Sequence, residues 1–158
     1  MLKVGDKAPD FSAAASNGEE IRLSALRGRK VVMYFFPKAF TPGCTAQARR
    51  FRDNYDEIKA LGAEVIGVSV DEPSVQCDFA TAERVRYPLI GDDQRLLGKL
   101  YDVVRPVLRV EKRVTYVIDE AGVVEAVFDH EFQVSRHLDD VMAHLRQRRL
   151  QPLAAQPR

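Results

Sequence analysis

The chain has no tryptophan and only two cysteines, Cys44 and Cys77, among its 158 residues. The cysteines do not form a CxxC pair, and no cluster of histidine and cysteine has the spacing of metal ligands, which argues against a zinc site. Charges of the two signs nearly cancel, leaving a formal net charge of +1. Since such a chain has no strong field, nucleic acid is not an expected partner.

Long apolar stretches are also missing from the chain. No run approaches the ~20 residues needed to cross a bilayer, and the first residues do not resemble a signal peptide. We therefore expect a cytoplasmic protein without membrane contact, in which two cysteines would not form a permanent disulfide. The length suits one domain over residues 1–150, and the proline-bearing tail 151–158 is expected to be frayed.

Buried strands alternate with amphipathic helices along the sequence. Continuous apolar runs at 30–36 and 65–70 are typical of strands that are buried on both faces. Two further strands, at 113–118 and 123–128, are joined by a short turn and predict a hairpin, and Ser135 precedes a closing helix. This order predicts an α/β protein with a central mixed sheet flanked by helices, and a thioredoxin-like arrangement fits it.

Cys44 lies just after a buried strand, in the first turn of a helix predicted to run from Pro42 to Gly62. A lone cysteine is more often a small buried hydrophobe. At a helix N-terminus, however, the amide groups favour an anion, so a thiol there is more readily converted to a thiolate. The nearby hydroxyl of Thr41 and the stiffness that Pro37 and Pro42 give the loop also favour a nucleophile.

A fixed cation is needed as well, because one helix terminus contributes only ~0.3–1 kcal/mol to holding a thiolate. The best candidate is Arg113, which opens the predicted strand at 113–118, where a charge is costly to bury. A surface position at the edge of the strand is the alternative for this arginine. Arg105, Arg109 and Lys112 compete for the same role, and their spacing does not choose among them.

The string Pro37-x-x-x-Thr41-x-x-Cys44 resembles the active-site motif of the peroxiredoxins. Its surroundings resemble the Q-type branch, also called bacterioferritin comigratory protein, and the likeness covers roughly residues 3–147. The resemblance implies a thioredoxin-fold peroxidase that reduces hydrogen peroxide and organic hydroperoxides and needs no metal, flavin or haem cofactor. Members of this branch are often monomeric, so we expect a monomer.

The same resemblance implies roles for individual residues. Cys44 would be the peroxidatic nucleophile, and Arg113 would be the cation that activates it. Thr41 would hydrogen-bond the peroxide and the thiolate, while Pro37 would shield the pocket from water. For Gln47 we favour an ordinary exposed helix residue, and we expect the histidines, including His137 and His144, to lie on the surface.

A second cysteine occurs five residues after the first in many Q-type members, but here that position is Arg49. The short-range disulfide is therefore impossible. Cys77 lies two residues from both Val75 and Phe79, which mark the inward stripe of its predicted helix together with Ala82, so it should be accessible. Our hypothesis is that Cys44 becomes a sulfenic acid and that Cys77 then closes an intramolecular disulfide.

Other cycles and functions stay open at this point. Cys77 could be an incidental surface residue, with the sulfenic acid resolved by an external thiol; in the two-cysteine cycle the reductant would be a thioredoxin-like protein. A thiol–disulfide oxidoreductase on the same fold is disfavoured by the missing CxxC pair. A redox sensor or holdase would use oxidation of Cys44 as a switch with little turnover. The segment 102–112 also departs from the family's usual glycine-bearing loop.

Overall fold

The structure, a computed structural model, describes residues 1–150, so the tail 151–158 expected to be frayed lies outside the described residues. Its strands are β1 (Ser12–Ala14), β2 (Glu20–Arg22), β3 (Lys30–Phe35), β4 (Ala63–Ser69), β5 (Leu89–Gly91), β6 (Val114–Ile118) and β7 (Val124–Asp129). Its α-helices are α1 (Pro42–Asp53), α2 (Tyr55–Ala60), α3 (Pro73–Ala82), α4 (Leu96–Leu100) and α5 (Ser135–Leu150). A short 3-10 helix, Leu23–Leu26, follows β2.

Five strands form one mixed sheet in the order β5-β4-β3-β6-β7. Strands β3, β4 and β5 are parallel to one another, whereas β6 is antiparallel to β3 and β7 is antiparallel to β6. Strands β1 and β2 form a separate antiparallel pair. The predicted α/β class with a central mixed sheet is therefore confirmed.

Strand β3 is the centre of the molecule, and all six of its residues are buried. Its even-numbered side chains pack into an apolar cluster with α1, α2, α3 and α5, and its odd-numbered side chains pack into a second cluster on the other face with β2 and α4. Alternate strand residues point to opposite faces, so a strand covered on both sides must be apolar throughout. This packing fixes the position from which the chain enters the loop at Pro37.

The helix expected to run from Pro42 to Gly62 is two helices. Helix α1 ends at Asp53 and α2 begins at Tyr55, with Asn54 between them. The Asn54 side-chain amide donates a 2.8 Å hydrogen bond to the carbonyl of Arg50, which satisfies a group at the end of α1. The apolar stripe continues through the break, since the following side chains are all buried: Ala48, Phe51, Tyr55 and Ile58.

The segments on either side of α4 contribute a buried carboxyl pair, Asp92 from before the helix and Glu111 from after it. The Asp92 carboxylate accepts N–H bonds from Leu97 (3.1 Å) and Gly98 (2.8 Å) at the start of α4. Glu111 is fully buried beside it, and within residues 1–150 no N–H group donates to its carboxyl oxygens. Burial, followed by the hydrogen bond to Asp92, raises the pKa of Glu111 to about 10. With its pKa raised this far, the Glu111 carboxyl is neutral at pH 7, and a proton shared with Asp92 agrees with the direction of the shift.

We expect Glu111→Gln to be more stable than the parent near pH 8 and similar to it near pH 5. Folding raises the pKa of Glu111 from 4.5 to about 10, so the folded state binds this proton more tightly than the unfolded state. The contribution of Glu111 to the free energy of unfolding is therefore complete below pH 4.5 and is lost as the pH rises toward 10. Glutamine stays neutral and keeps an N–H for Asp92, so it escapes this loss. The gain should be on the order of 1–3 kcal/mol near pH 8.

Urea unfolding of both proteins at the two pH values measures this difference. Glu57→Gln is the matched control, because Glu57 is an exposed glutamate on α2 and should leave the pH dependence unchanged. A Glu111→Gln protein that loses stability with pH as steeply as the parent would contradict the shared proton.

Candidate active site

The loop from β3 into α1 is held at both of its ends. Thr41 precedes the helix with extended backbone angles (φ −76°, ψ 151°), and Pro42 takes the first helical position. The Thr41 hydroxyl donates a 2.8 Å hydrogen bond to the carbonyl of Lys38. At the other end, the Ala39 N–H donates to the buried carboxylate of Asp71, which follows β4, at 2.7 Å. The loop is thereby fixed relative to the sheet.

Phe40, in the middle of this loop, has an unusual backbone. Its φ of 68° lies in the left-handed region, where an aromatic residue is strained. Its ring is half-exposed and packs edge-on against Phe79 of α3, with 5.1 Å between ring centroids. The loop before Cys44 therefore contacts the helix that carries Cys77.

Cys44 and Arg113 meet at the start of α1. The Cys44 side chain is buried, and the Arg113 Nη2 atom lies 3.5 Å from its sulfur. The antiparallel register pairs Phe35 with Val114, which sets Arg113 beside the loop that leaves β3. Arg113 is only 7% exposed, so the alternative of a surface residue at the strand edge is wrong.

Two of the three competing cations have other partners or positions. Arg105 pairs with the carboxylate of Glu131, and the exposed Arg109 offers its backbone carbonyl to the Arg95 side chain at 2.7 Å. Of the four candidates, Arg113 is the residue whose guanidinium contacts the sulfur.

Gln47 supports the guanidinium, and its expected exposure is wrong. It is 1% exposed, and its Oε1 atom accepts a 2.6 Å hydrogen bond from Arg113 Nη1. Residues three apart share one face of a helix, so Gln47 lies on the same side of α1 as Cys44. That spacing is the sequence signal that could have identified it.

Glu131, in the loop between β7 and α5, supplies two more acceptors to Arg113. Its backbone carbonyl accepts from Arg113 Nε at 3.1 Å, and its carboxylate accepts from the Arg113 backbone N–H at 3.2 Å. No sequence pattern pointed to this residue. Its loop also approaches α1, where a Cβ at Gly43 would lie 3.5 Å from the Val134 side chain and 3.4 Å from Arg113 Nη2. These distances are ordinary van der Waals contacts, so the loop and the guanidinium pack directly against the start of α1.

His137 is buried behind the site, so its expected surface position is wrong. Burial lowers its pKa to about 4, which makes the ring neutral near pH 7. Its Nε2 atom is 2.7 Å from the His130 carbonyl, so Nε2 carries the proton and donates it. The Thr115 hydroxyl, 2.8 Å from Nδ1, then donates to the ring. These bonds join α5 to β6, the strand that Arg113 precedes.

The second thiol and the supporting loop residues have distinct positions. Cys77 is exposed on α3, as its helical position predicted, and its sulfur faces the carbonyl of Ser16 at 3.9 Å. Both cysteines are free thiols. Pro37 is half-buried two residues after the end of β3, and Thr41 lies three residues before Cys44. The geometry thus groups Cys44 with Arg113 and Gln47, whereas Cys77 lies on a separate helix.

Two other kinds of site can be tested over the described part of the chain. Within residues 1–150, no three side chains of histidine, cysteine, aspartate or glutamate are grouped so that they could hold a metal ion. Of the helices in the same range, none has the length and apolar character to span a bilayer.

Residues 4–127 match the AhpC/TSA family. The chain belongs to this family. It is 38% identical to Peroxiredoxin Bcp of Escherichia coli K12 over 159 residues, an alignment that covers 92% of this chain and 97% of the relative. It is also 38% identical to the chloroplastic Peroxiredoxin Q of Arabidopsis thaliana, covering 92% of this chain and 68% of the relative.

A solved structure gives the same assignment. The crystal structure of Peroxidoxin BcpB from Mycobacterium tuberculosis superposes with a TM-score of 0.87 and 36% identity, covering 96% of this chain and all of that one. The predicted thioredoxin-like fold and the resemblance to the Q-type branch are confirmed. This peroxiredoxin is a thiol-dependent peroxidase, an oxidoreductase that acts on peroxide.

Proposed function

We propose that Cys44 is the peroxidatic nucleophile of this peroxidase and that Arg113 stabilises its thiolate. The observation that carries the assignment is the 3.5 Å contact between Arg113 Nη2 and the Cys44 sulfur, in the first turn of α1. A permanent cation and the free N–H groups of a helix start both favour the ionised form of a thiol.

The reaction is a displacement at a peroxide oxygen. The Cys44 thiolate attacks, an S–O bond forms and the O–O bond breaks. The leaving hydroxide or alkoxide takes a proton from solvent, which gives water or an alcohol and leaves Cys44 as a sulfenic acid. Arg113 and the α1 amides stabilise the negative charge as it moves from sulfur to the leaving oxygen. Hydrogen peroxide and organic hydroperoxides are the substrates.

Two loop residues complete the proposed site. Thr41 hydrogen-bonds the bound peroxide and the thiolate, since its hydroxyl lies one helical turn before Cys44 and can leave its partner, the Lys38 carbonyl. Pro37 is half-buried and has no N–H, so it shields the pocket without adding a competing donor.

Cys77 is proposed to resolve the sulfenic acid. Its thiolate attacks the Cys44 sulfur, an S–S bond forms, the S–O bond breaks, and the leaving hydroxide takes a proton from solvent to give water. Because Cys44 is buried in α1 and Cys77 is exposed on α3, the two helices must move or partly unwind to join the sulfurs. The contact between Phe40 and Phe79 couples the two segments. A thioredoxin-like dithiol then reduces the disulfide of a cytoplasmic monomer.

Mass spectrometry after one equivalent of hydrogen peroxide tests the nucleophile and the resolution route together. The parent is expected to lose two hydrogen atoms and to yield a peptide that links Cys44 with Cys77. Cys77→Ser should stop at a Cys44 sulfenic acid that dimedone traps, because no second thiol is left in the chain.

The same spectra separate the two cycles. A parent that retains a sulfenic or sulfinic Cys44 beside a free Cys77 would contradict the two-cysteine cycle and favour resolution by an external thiol. Oxidation at Cys77 with Cys44 unchanged would contradict the assignment of the nucleophile.

A further inference from the structure

Arg113 is held from a side that neither Cys44 nor Gln47 occupies. Glu131 accepts from Arg113 Nε through its backbone carbonyl (3.1 Å) and from the Arg113 backbone N–H through its carboxylate (3.2 Å). The other carboxylate oxygen pairs with the guanidinium of Arg105. One residue thus contacts two arginines, one of which contacts the sulfur.

The orientation of a guanidinium group depends on how many of its nitrogen atoms are held by hydrogen bonds. Gln47 accepts a hydrogen bond from Nη1 of Arg113. This bond alone would leave the planar group free to rotate about it. The Glu131 carbonyl fixes the Nε corner as well, so Nη2 points at the Cys44 sulfur. The carbonyl can do so only while its loop stays in place.

The Glu131 loop lies outside helix and strand, and so does Arg105, which belongs to the segment between α4 and β6. Their ion pair joins the two loops, and both side chains are about one-third exposed, at 28% and 33%. Arg105 is thus linked to Arg113 through Glu131, because its guanidinium donates to the Glu131 carboxylate.

We propose that Glu131, tethered by Arg105, is a positioning residue that holds the Arg113 guanidinium against the Cys44 thiolate. The inference rests on the proposed role of Arg113. Glu131 does not contact the reacting atoms; it acts by fixing the loop whose carbonyl orients the arginine.

The negative charge of Glu131 and its positioning of Arg113 have opposite effects on thiolate formation at Cys44. The direction of the shift in a Glu131 variant therefore tests the proposal. Glu131→Ala removes a negative charge near Arg113 and leaves Arg105 unpaired. By charge alone, the variant should form the thiolate more readily, and the pH profile of Cys44 alkylation should move to lower pH. Loss of positioning weakens the contact between guanidinium and sulfur and moves the profile to higher pH.

The experiment measures iodoacetamide alkylation against pH in a Cys77→Ser background, in which Cys44 is the one remaining thiol. Glu131→Ala is expected to move the profile up by about 0.5–1 pH unit and to slow the single-turnover reaction with hydrogen peroxide about three- to tenfold near neutral pH. Glu57→Ala is the matched control, since Glu57 forms a comparable exposed pair with Arg146 (2.7 Å), and it should change neither value.

Glu131→Gln keeps the size of the side chain and carries the test if the alanine variant does not fold; its profile should move in the same direction by a smaller amount. An unchanged profile, or a shift to lower pH, overturns the positioning role. A Cys77→Ser parent whose Cys44 fails to react with peroxide would instead overturn the proposed function, so the two failures are distinct.

Discussion

Cys44→Ser is expected to abolish peroxide consumption, with a fall of at least about a thousandfold in the rate of reaction with hydrogen peroxide. The proposed nucleophile is the Cys44 thiolate, and a serine hydroxyl in its place does not ionise at neutral pH even beside Arg113, which lies 3.5 Å from the sulfur. Oxidation of NADPH, coupled through thioredoxin reductase and thioredoxin, measures turnover. The parent should consume peroxide continuously.

Two comparisons complete this test. Cys77→Ser should still consume one equivalent of peroxide, which distinguishes loss of the nucleophile from loss of resolution. A parent that stops after one equivalent in the presence of the reducing system would favour the redox sensor or holdase. Continuous turnover by Cys44→Ser would contradict the assigned nucleophile.

Arg113→Met should slow the reaction with peroxide by about a hundred- to a thousandfold, or about 3–4 kcal/mol of activation free energy. Methionine fills part of the buried space but removes the cation at the Cys44 sulfur and the donor to Gln47. Arg113→Lys should slow the reaction less. Lysine keeps the positive charge but cannot donate at once to the Cys44 sulfur, to Gln47 and to the Glu131 carbonyl. Stopped-flow single-turnover kinetics give the rate constants.

Arg109→Met provides the matched control for the loss of one arginine. Arg109 competes for the same role in the sequence, yet its side chain is exposed. Its replacement should leave the rate within about twofold, as is usual for an exposed charge. Equal losses in the Arg109 and Arg113 variants, or an unaffected Arg113→Met, would contradict the contact as the source of activation.

Local sequence patterns are sufficient to predict the strand and the following helix start that contains Cys44. A continuous apolar run predicts a strand covered on both faces, and proline after threonine predicts a helix start. Arg113 stayed one of four candidates because the antiparallel pairing of β3 with β6 decides which arginine approaches the sulfur. The pairing of these two strands cannot be inferred from the spacing of residues along the chain. The same holds for Glu131, which acts in part through a backbone carbonyl that any residue has.

Burial of polar side chains is the feature that the sequence predicts least well. Gln47 and His137 were expected on the surface from their residue types, but each is buried with specific partners, Arg113 for the first and Thr115 for the second. The usual exposure of a residue type is an average over many proteins. It does not take account of a hydrogen-bond partner that a distant strand contributes.

Helix geometry succeeded where the face was well defined and failed near helix ends. The exposure of Cys77 follows from its position opposite Phe79, which is buried. Ala82, expected on the inward face, is exposed because α3 ends there. The apolar stripe runs unchanged through Asn54, so the sequence pattern predicts one helix where the structure has two.

The buried pair of Asp92 and Glu111 affects how the whole molecule behaves as a polyelectrolyte. The formal charge of +1 counts all 23 acidic groups as ionised against 24 basic ones. With Glu111 protonated, 22 remain ionised and the native charge is +2, so the folded chain should focus above the sequence isoelectric point of 7.8. Unfolding at neutral pH then discharges one proton into the buffer, and the measured enthalpy of denaturation includes the ionisation heat of whichever buffer receives it.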